Sequence, residues 1–225
     1  MSTGATTTVY LITGANRGIG LALVNALAAK PNVAIFAAVR DPSAFKHSAQ
    51  NVYSVKYTSG DLDGIATYMG SALDTPPSAL REHFEINTTG ILVLFQSLAN
   101  LLRKSATPKF IPISSAAASL TAYIELPAGY TCYGASKAAL NYIARKIHFE
   151  NDWLVCFPLA PGIVKTDMSR ANREMDKTGS LAPIQDMIAM EPGDAALRLI
   201  DIVDGSTREK DGGEFINVDG SRIPW

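Results

Sequence analysis

A chain of 225 residues with 47% apolar and 18% charged side chains can bury a substantial core and has an ordinary globular composition. Its net charge of −1, with basic residues scattered and not clustered, excludes nucleic-acid or anionic-membrane recruitment by a global field. The two cysteines, Cys132 and Cys156, lack metal-ligand spacing and point to a reducing compartment, so no metal is expected. Residues 1–8 have no basic start and no apolar run is long enough to span a membrane; a soluble cytoplasmic protein without membrane partners is expected.

Strand-like and helix-like segments then alternate. The apolar run 9–12 reads as a first strand, 19–29 as a helix closed by Pro31, and 33–39 as a second buried strand ended by Arg40-Asp41-Pro42. Residues 52–57 (VYSVKY) alternate as a third strand, and 79–103 reads as one long helix. A strand is expected over 110–113, although Pro112 removes one ladder donor there. Residues 133–150 read as a helix, 153–157 as a strand, and 165–191 as irregular and mobile. Pro192-Gly193-Asp194 opens a last helix to about 203, before a final strand over 214–218. No repeat or low-complexity linker divides the chain, so 1–225 is expected to be a single domain. The alternation predicts an α/β fold of the Rossmann type, a doubly wound parallel sheet with helices on both faces.

Gly14, Gly18 and Gly20 lie between the first strand and its helix, in Thr13-Gly14-Ala15-Asn16-Arg17-Gly18-Ile19-Gly20. Missing side chains there permit a tight turn and close approach of backbone to phosphate, and free N–H groups at the helix start meet the negative charge. The alternative is a plain tight turn. At the end of the second strand an acidic residue would bind a free ribose 2′-hydroxyl, whereas a cation suits a 2′-phosphate. This chain has Arg40 there and Arg17 in the loop, which predicts NADP(H) over NAD(H); the alternative for Arg40 is a surface pair with Asp41.

Tyr133 and Lys137, in Tyr133-Gly134-Ala135-Ser136-Lys137, are i and i+4 and share a helix face. A phenol with a pKa of about 10 is a weak acid or base at neutral pH, and a nearby ammonium should lower that value. By itself this spacing is common on amphipathic helices. Ser114 and Ser115 place hydroxyls at the end of a strand, where open α/β sheets bind ligands, or they merely turn the chain. Asn87 is a poor helix former inside a helical pattern, and its plain reading is a solvent-facing side chain.

Together these elements resemble the short-chain dehydrogenase/reductase family. The matching segments are TGANRGIG, the asparagine of EINTTG, ISSAA, YGASK, PLAPGIVKTDM and GGEFINVDG, and within the family the likeness is to fungal ketoreductases of the norsolorinic acid ketoreductase type. The resemblance implies a tetrad of Asn87, Ser115, Tyr133 and Lys137. Tyr133 would protonate the substrate carbonyl as hydride arrives, and Ser115, preferred to Ser114 by its place in the motif, would hold the carbonyl oxygen. Lys137 would bind the nicotinamide ribose, and Asn87 would hold a relay water. It further implies that Gly14, Asn16, Arg17, Gly18, Ile19, Gly20, Arg40, Asp61, Pro161, Gly162, Val164 and Thr166 contact NADP(H), with Asn87, Tyr133 and Lys137. Residues 165–191 would form a substrate lid. A small carbonyl or alcohol substrate, a role in fungal secondary metabolism, and a homodimer or tetramer built through 79–103 and 133–150 are expected on the same ground.

One family element is missing. Thr58-Ser59-Gly60-Asp61-Leu62 runs directly into Asp63-Gly64-Ile65-Ala66-Thr67, where relatives carry a crossover and a fourth strand ending in Asn-Ala-Gly. About a dozen residues or more, plus 5 or 6 of strand, would be lost. In the order 3-2-1-4-5-6 that strand lies between the first and the fifth. Either VYSVKY moves into the gap, or the first and fifth strands pair directly, or the sequence stems from a mispredicted or mis-spliced transcript and folds poorly. The alternative function is a catalytically impaired or non-catalytic nucleotide- or partner-binding member. A longer interval from Ser115 to Tyr133 places a loop at 121–131 over the expected substrate.

Overall fold

The computed structural model describes residues 7–58 and 68–225. Three parallel strands come first: β1 (Thr8–Thr13), β2 (Val33–Val39) and β3 (Val52–Lys56), in that spatial order. They are rich in Val, Ile, Tyr and Phe, which suit a pleated surface. The register sets Leu11 opposite Phe36 and Phe36 opposite Tyr53. Helix α1 (Gly18–Ala28) returns the chain from β1 to β2 and buries Val24 and Leu27 against Ile35, Ala37 and Val39. Tyr10, Ile12 and Val52 join that cluster from the same face of the sheet.

Among the described residues, no helix covers the opposite face. Val9 is 61% exposed, Leu11 38%, Phe36 37% and Tyr53 50%, and the Phe36 and Tyr53 rings touch with centroids 5.5 Å apart. Parallel sheets are ordinarily covered on both faces. The reason lies in crossover handedness. A connection running from β3 back past β1 travels opposite to the β1–β2 connection, so a right-handed crossover would lay its helix on this second face. That crossover is the element the sequence lacks. Its landing strand is absent too: among the described residues β1 pairs with β2 alone. VYSVKY has not moved into the centre, because β3 stays on the outer side of β2, and no direct pairing joins β1 to the following strand.

The second half is built on helices α2 (Pro77–Phe84) and α3 (Gly90–Leu102), with a π-helical turn, Glu85–Thr89, between them. The single helix expected over 79–103 is therefore interrupted at Asn87, one of the expected site residues, and π turns are frequent at such positions. Strands β4 (Lys109–Phe110) and β5 (Val155–Cys156) pair in parallel, as do β6 (Leu159–Ala160) and β7 (Ile216–Asn217). An Ile113–Leu159 bridge connects the two pairs. The ladder is shorter than expected because Pro112 has no N–H to give, although its carbonyl accepts from Leu159 N–H at 3.0 Å. Helix α4 (Thr131–Glu150) covers this half, burying Ala144 and Ile147 against Phe95, Phe110, Leu154 and Cys156. Residues 165–191 are more ordered than expected. They contain α5 (Asp167–Met175), opened by a Thr166/Ser169 capping box, and α6 (Leu181–Ile188).

With no backbone ladder across the slot among the described residues, helix α7 (Pro192–Gly205) clamps the halves together. Its Ile200 enters the β1–β3 cluster, while its Leu199 packs with Phe157, Leu159, Ile216 and Val218. Its C-terminal end is held from both sides. On one side Tyr10 of β1 donates its hydroxyl to Asp204 Oδ1 at 2.5 Å, and Lys30, just past α1, pairs its Nζ with Asp204 Oδ2 at 2.8 Å. From β4, Lys109 Nζ donates to the carbonyls of Val203 (2.6 Å), Ser206 (2.9 Å) and Asp204 (3.1 Å). A lysine at a helix C-terminus satisfies orphan carbonyls and meets the negative end of the dipole.

Candidate active site

The glycine loop closes the C-terminal end of β1. Gly14 and Gly18 adopt φ of +64° and +53°, left-handed conformations that side chains disfavour. Gly20 is needed for space: a Cβ there would collide with the Gly14 carbonyl and lie 3.2 Å from Ala15 Cα. Arg17 stands at the N-cap of α1 in extended conformation without a side-chain cap bond, and the first turn of α1 carries no acidic residue. Its N–H groups are thus available to an anion. Asn16 and Arg17 are exposed, Ile19 is half-buried in the Phe157–Leu199 cluster, and Arg40 is exposed one residue past β2. Asp41 Oδ1 is taken up by Ser43, accepting from its N–H (2.9 Å) and its hydroxyl (2.6 Å). Asp61 lies outside the described residues.

The chain leaving β6 meets this loop from the other side. Pro161 and Val164 are buried, and Gly162 has φ +71° with Met190 Cε and Val218 Cγ1 each 3.0 Å from where a Cβ would stand. Thr166 caps α5 and reaches the glycine loop, its Cγ2 lying 3.4 Å from a Cβ placed on Gly18. A groove of about 710 Å³ runs here between Gly18, Asn25, Thr166 and Gly193.

Asn87, Ser115, Tyr133 and Lys137 come together around the start of α4. Tyr133 and Lys137 share a face, with the Lys137 ammonium 5.8 Å from the Tyr133 ring centroid. The π turn presents Asn87, whose Nδ2 donates to Ser136 Oγ at 3.0 Å; Ser136 Oγ in turn donates to the Tyr133 carbonyl at 2.8 Å. Thr88 Oγ1 donates to the Ser136 carbonyl at 2.9 Å, so Ser136, wholly buried, fastens the π turn to α4. The sequence reading missed this residue; its position one turn after Tyr133 was the available signal.

The two serines separate cleanly. Ser114 is buried, and its hydroxyl donates to Asn141 Oδ1 at 2.5 Å. Ser115 Oγ accepts from Ala117 N–H at 3.2 Å as the N-cap of the short 3₁₀ turn Ala116–Ala118, and it is the serine that acts on the Tyr133 phenol. Gly134 explains the glycine of YGASK: a Cβ there would lie 2.8 Å from the Ala117 carbonyl, so only glycine lets this turn press against α4.

Proton affinities depart from the expectation that the lysine lowers the tyrosine's pKa. Burial pushes the Tyr133 phenol up, Ser115 pulls it down, and burial pushes Lys137 down to about 8. The physical reason is direction: Lys137 Nζ donates to the Ile113 carbonyl at 2.8 Å. A further group lies behind the tyrosine. His83 is buried, its ring meets Tyr133 edge-to-face at 6.3 Å, and burial lowers its pKa, keeping a neutral imidazole there at neutral pH. A second cleft of about 570 Å³ separates Tyr68, Met69 and Glu82 from Glu174, Met175 and Lys177 at the end of α5 and just beyond it.

The short chain dehydrogenase family model matches residues 61–177, beginning at the junction where the strand is missing. The chain is 31% identical to norsolorinic acid ketoreductase nor1 of Dothistroma septosporum, with 97% of this chain and 92% of that protein covered. It is also 31% identical to norsolorinic acid ketoreductase of Aspergillus parasiticus, covering 97% and 91%. The first match extends over 256 positions, so at least 31 of them (256 against 225) have no residue here, enough for a crossover and a strand. Among solved structures, the NADPH-bound carbonyl reductase from chicken fatty liver superposes with a TM-score of 0.80 at 24% identity, covering 98% of this chain and 100% of that one. The fold thus survives the deletion. Among the described residues, no helix is long and apolar enough to cross a membrane, and no His, Cys, Asp and Glu cluster could hold a metal.

Proposed function

Because the chain belongs to the short-chain dehydrogenase family and is an oxidoreductase of its carbonyl reductase-like kind, we propose that it uses NADP(H) to interconvert a ketone and a secondary alcohol. The observation that carries this reading is the meeting of Asn87, Ser115, Tyr133 and Lys137 beside a glycine cradle that any added Cβ at Gly20 would fill. The cradle and the uncapped start of α1 fit a dinucleotide pyrophosphate, and Arg40 with Arg17 suits a 2′-phosphate. A bound nicotinamide would supply or accept the hydride.

The chain's own residues do the rest. Tyr133 donates its phenolic proton to the carbonyl oxygen, and its neutral form, favoured by burial, is the acid that reduction requires. Ser115 gives that oxygen a second hydrogen bond as charge develops. Lys137 spends one of its three donors on Ile113, which leaves two for ribose hydroxyls. Asn87 is held by Ser136 with its amide carbonyl as the acceptor for a relay water. The ketoreductase names of both fungal relatives favour a ketone, and a place in fungal secondary metabolism is part of the proposal. The outward faces of α3 and α4 expose Val93, Leu101, Tyr142 and Phe149, in keeping with a homo-oligomer built through them.

The second reading, a nucleotide- or partner-binding protein without turnover, is favoured by the missing pairing between β1 and β4 among the described residues. Titration with NADPH and NADH, followed by nicotinamide fluorescence, separates the two readings. NADPH binding, then ketone turnover that Tyr133→Phe abolishes, supports the enzyme. A folded protein that binds neither nucleotide sinks it.

A further inference from the structure

The turn that carries Ser115 is gripped on its far side by residues 222–225. Ser119, wholly buried, donates its hydroxyl to the Pro224 carbonyl at 2.7 Å and accepts from the N–H groups of Ala122 (2.9 Å) and Thr121 (3.3 Å). Thr121 Oγ1 donates to Trp225 O at 2.9 Å. The Trp225 ring stacks on Phe215 with centroids 5.6 Å apart, and the Arg145 guanidinium of α4 lies 4.8 Å from its centroid. Ile223 is buried with Ala118, Ala160 and Phe215, its N–H donating to the Phe215 carbonyl at 2.8 Å. An antiparallel bridge between Ile216 and Arg222 sets this segment beside β7.

The 3₁₀ turn after Ser115 is therefore pressed between two supports. On one side is α4, approached so closely that Gly134 tolerates no side chain; on the other are Pro224 and Trp225. The loop over 121–131 starts from this clasp and ends at α4, two residues before Tyr133. Its middle is exposed, including Tyr123, Ile124 and Glu125, so its two ends decide where it lies.

We propose that Trp225, whose ring holds residues 222–225 on Phe215 so that the Pro224 carbonyl and Trp225 O meet Ser119 and Thr121, is a positioning residue of the active site. It sets the course of the 121–131 loop and, through the 116–118 turn, the approach of Ser115 to Tyr133. Ser119, Thr121 and Trp225 pack on 215–224 and α4, away from the start of α1, so their loss should leave nucleotide binding intact. The catalytic half of this inference rests on the proposed ketone reduction; the loop half does not.

The test compares Trp225→Ala, Trp225→Phe and Ser119→Ala. Limited digestion with a glutamate-specific protease, read by mass spectrometry at Glu125, reports the loop independently of catalysis. The expected result is cleavage at Glu125 about tenfold faster in both Ser119→Ala, which leaves the Pro224 carbonyl without its donor, and Trp225→Ala, which removes the ring that holds residues 222–225 on Phe215 while keeping the main-chain acceptors. Trp225→Phe, which keeps a ring to stack, stays near the parent rate. For ketone reduction, kcat falls in the same two variants while NADPH affinity stays within about twofold. Unchanged cleavage overturns the inference, as does faster cleavage with unchanged kcat. If the parent protein reduces no ketone, the proposed function fails and Glu125 cleavage alone decides the inference. If Trp225→Ala does not fold, Ser119→Ala, a small change that keeps the stack, decides it.

Discussion

Replacing Lys109 with methionine tests whether α7 holds the two half-sheets together. The ammonium donates to three carbonyls at 2.6, 2.9 and 3.1 Å, all at the end of α7. A hydrogen bond to a charged group contributes roughly 1.5–3 kcal/mol when isolated. Three bonds on one ammonium do not add, and burial already lowers the Lys109 pKa, a sign that ionisation here carries a desolvation cost. Methionine keeps the packed stem and removes that cost, so the net loss should be about 2–3 kcal/mol. For a chain of this size each kcal/mol moves Tm by roughly 2–4 °C, giving a drop of about 4–12 °C. Circular dichroism melting measures it. NADPH, proposed to bind between α1 and the segment after β6, should restore about 2.7 kcal/mol at a hundred times its Kd. A melting temperature within about a degree of the parent's would refute the argument and place the coherence of the halves in apolar packing alone.

Three further changes follow from the site. Lys137 has a folded pKa of about 8 against 10.5 in the unfolded chain, so between those values the unfolded chain binds more protons and stability rises with pH. Lys137→Met should remove a rise on the order of 3 kcal/mol over that window and make the protein more stable at neutral pH while inactivating it; urea midpoints from pH 7 to 10 that run parallel for both proteins would contradict this. Gly20→Ala puts a methyl into the Gly14 carbonyl and should abolish nucleotide binding at a stability cost of about 1–3 kcal/mol, measured by fluorescence titration and denaturant melts. Arg40→Asp should weaken NADPH by roughly tenfold to a hundredfold and spare NADH; equal losses for both nucleotides would mean that Arg40 does not read the 2′-position.

Local signals made much of this molecule legible. The boundaries of β2 coincide with the expected run, and β1, β3, α1, α4 and α7 fall within two residues of expectation, because alternation, a glycine loop and a proline start are written in adjacent residues. What escaped depends on contacts between distant positions. The π turn at Asn87 is fastened by Ser136, 49 residues away, and the partner of Ser114, Asn141, lies 27 residues along the chain. The direction of Lys137 toward Ile113, and with it the raised phenol, could not be inferred from i and i+4 spacing. Helices α5 and α6 were missed because their apolar content is low or brief; α5 buries no residue, though the Thr166–Ser169 cap was visible. The missing strand was legible as a gap in a motif. Neither expected repair occurred, since α7 bridges the halves by side chains.

The bare flank of β1 also governs how this protein behaves in company. Thr8–Thr13 reads TVYLIT: six residues, β-branched and aromatic, with no charge and no proline. Natural sheets blunt an open edge with lysine, proline, a bulge or a covering helix. Among the described residues this edge has none of these on its β4 side. Such a segment is a template for cross-strand stacking between molecules. Solubility, more than chemistry, should set the working concentration of the chain: light scattering would rise with protein concentration long before the melting temperature, and a single lysine at Val9 would suppress it.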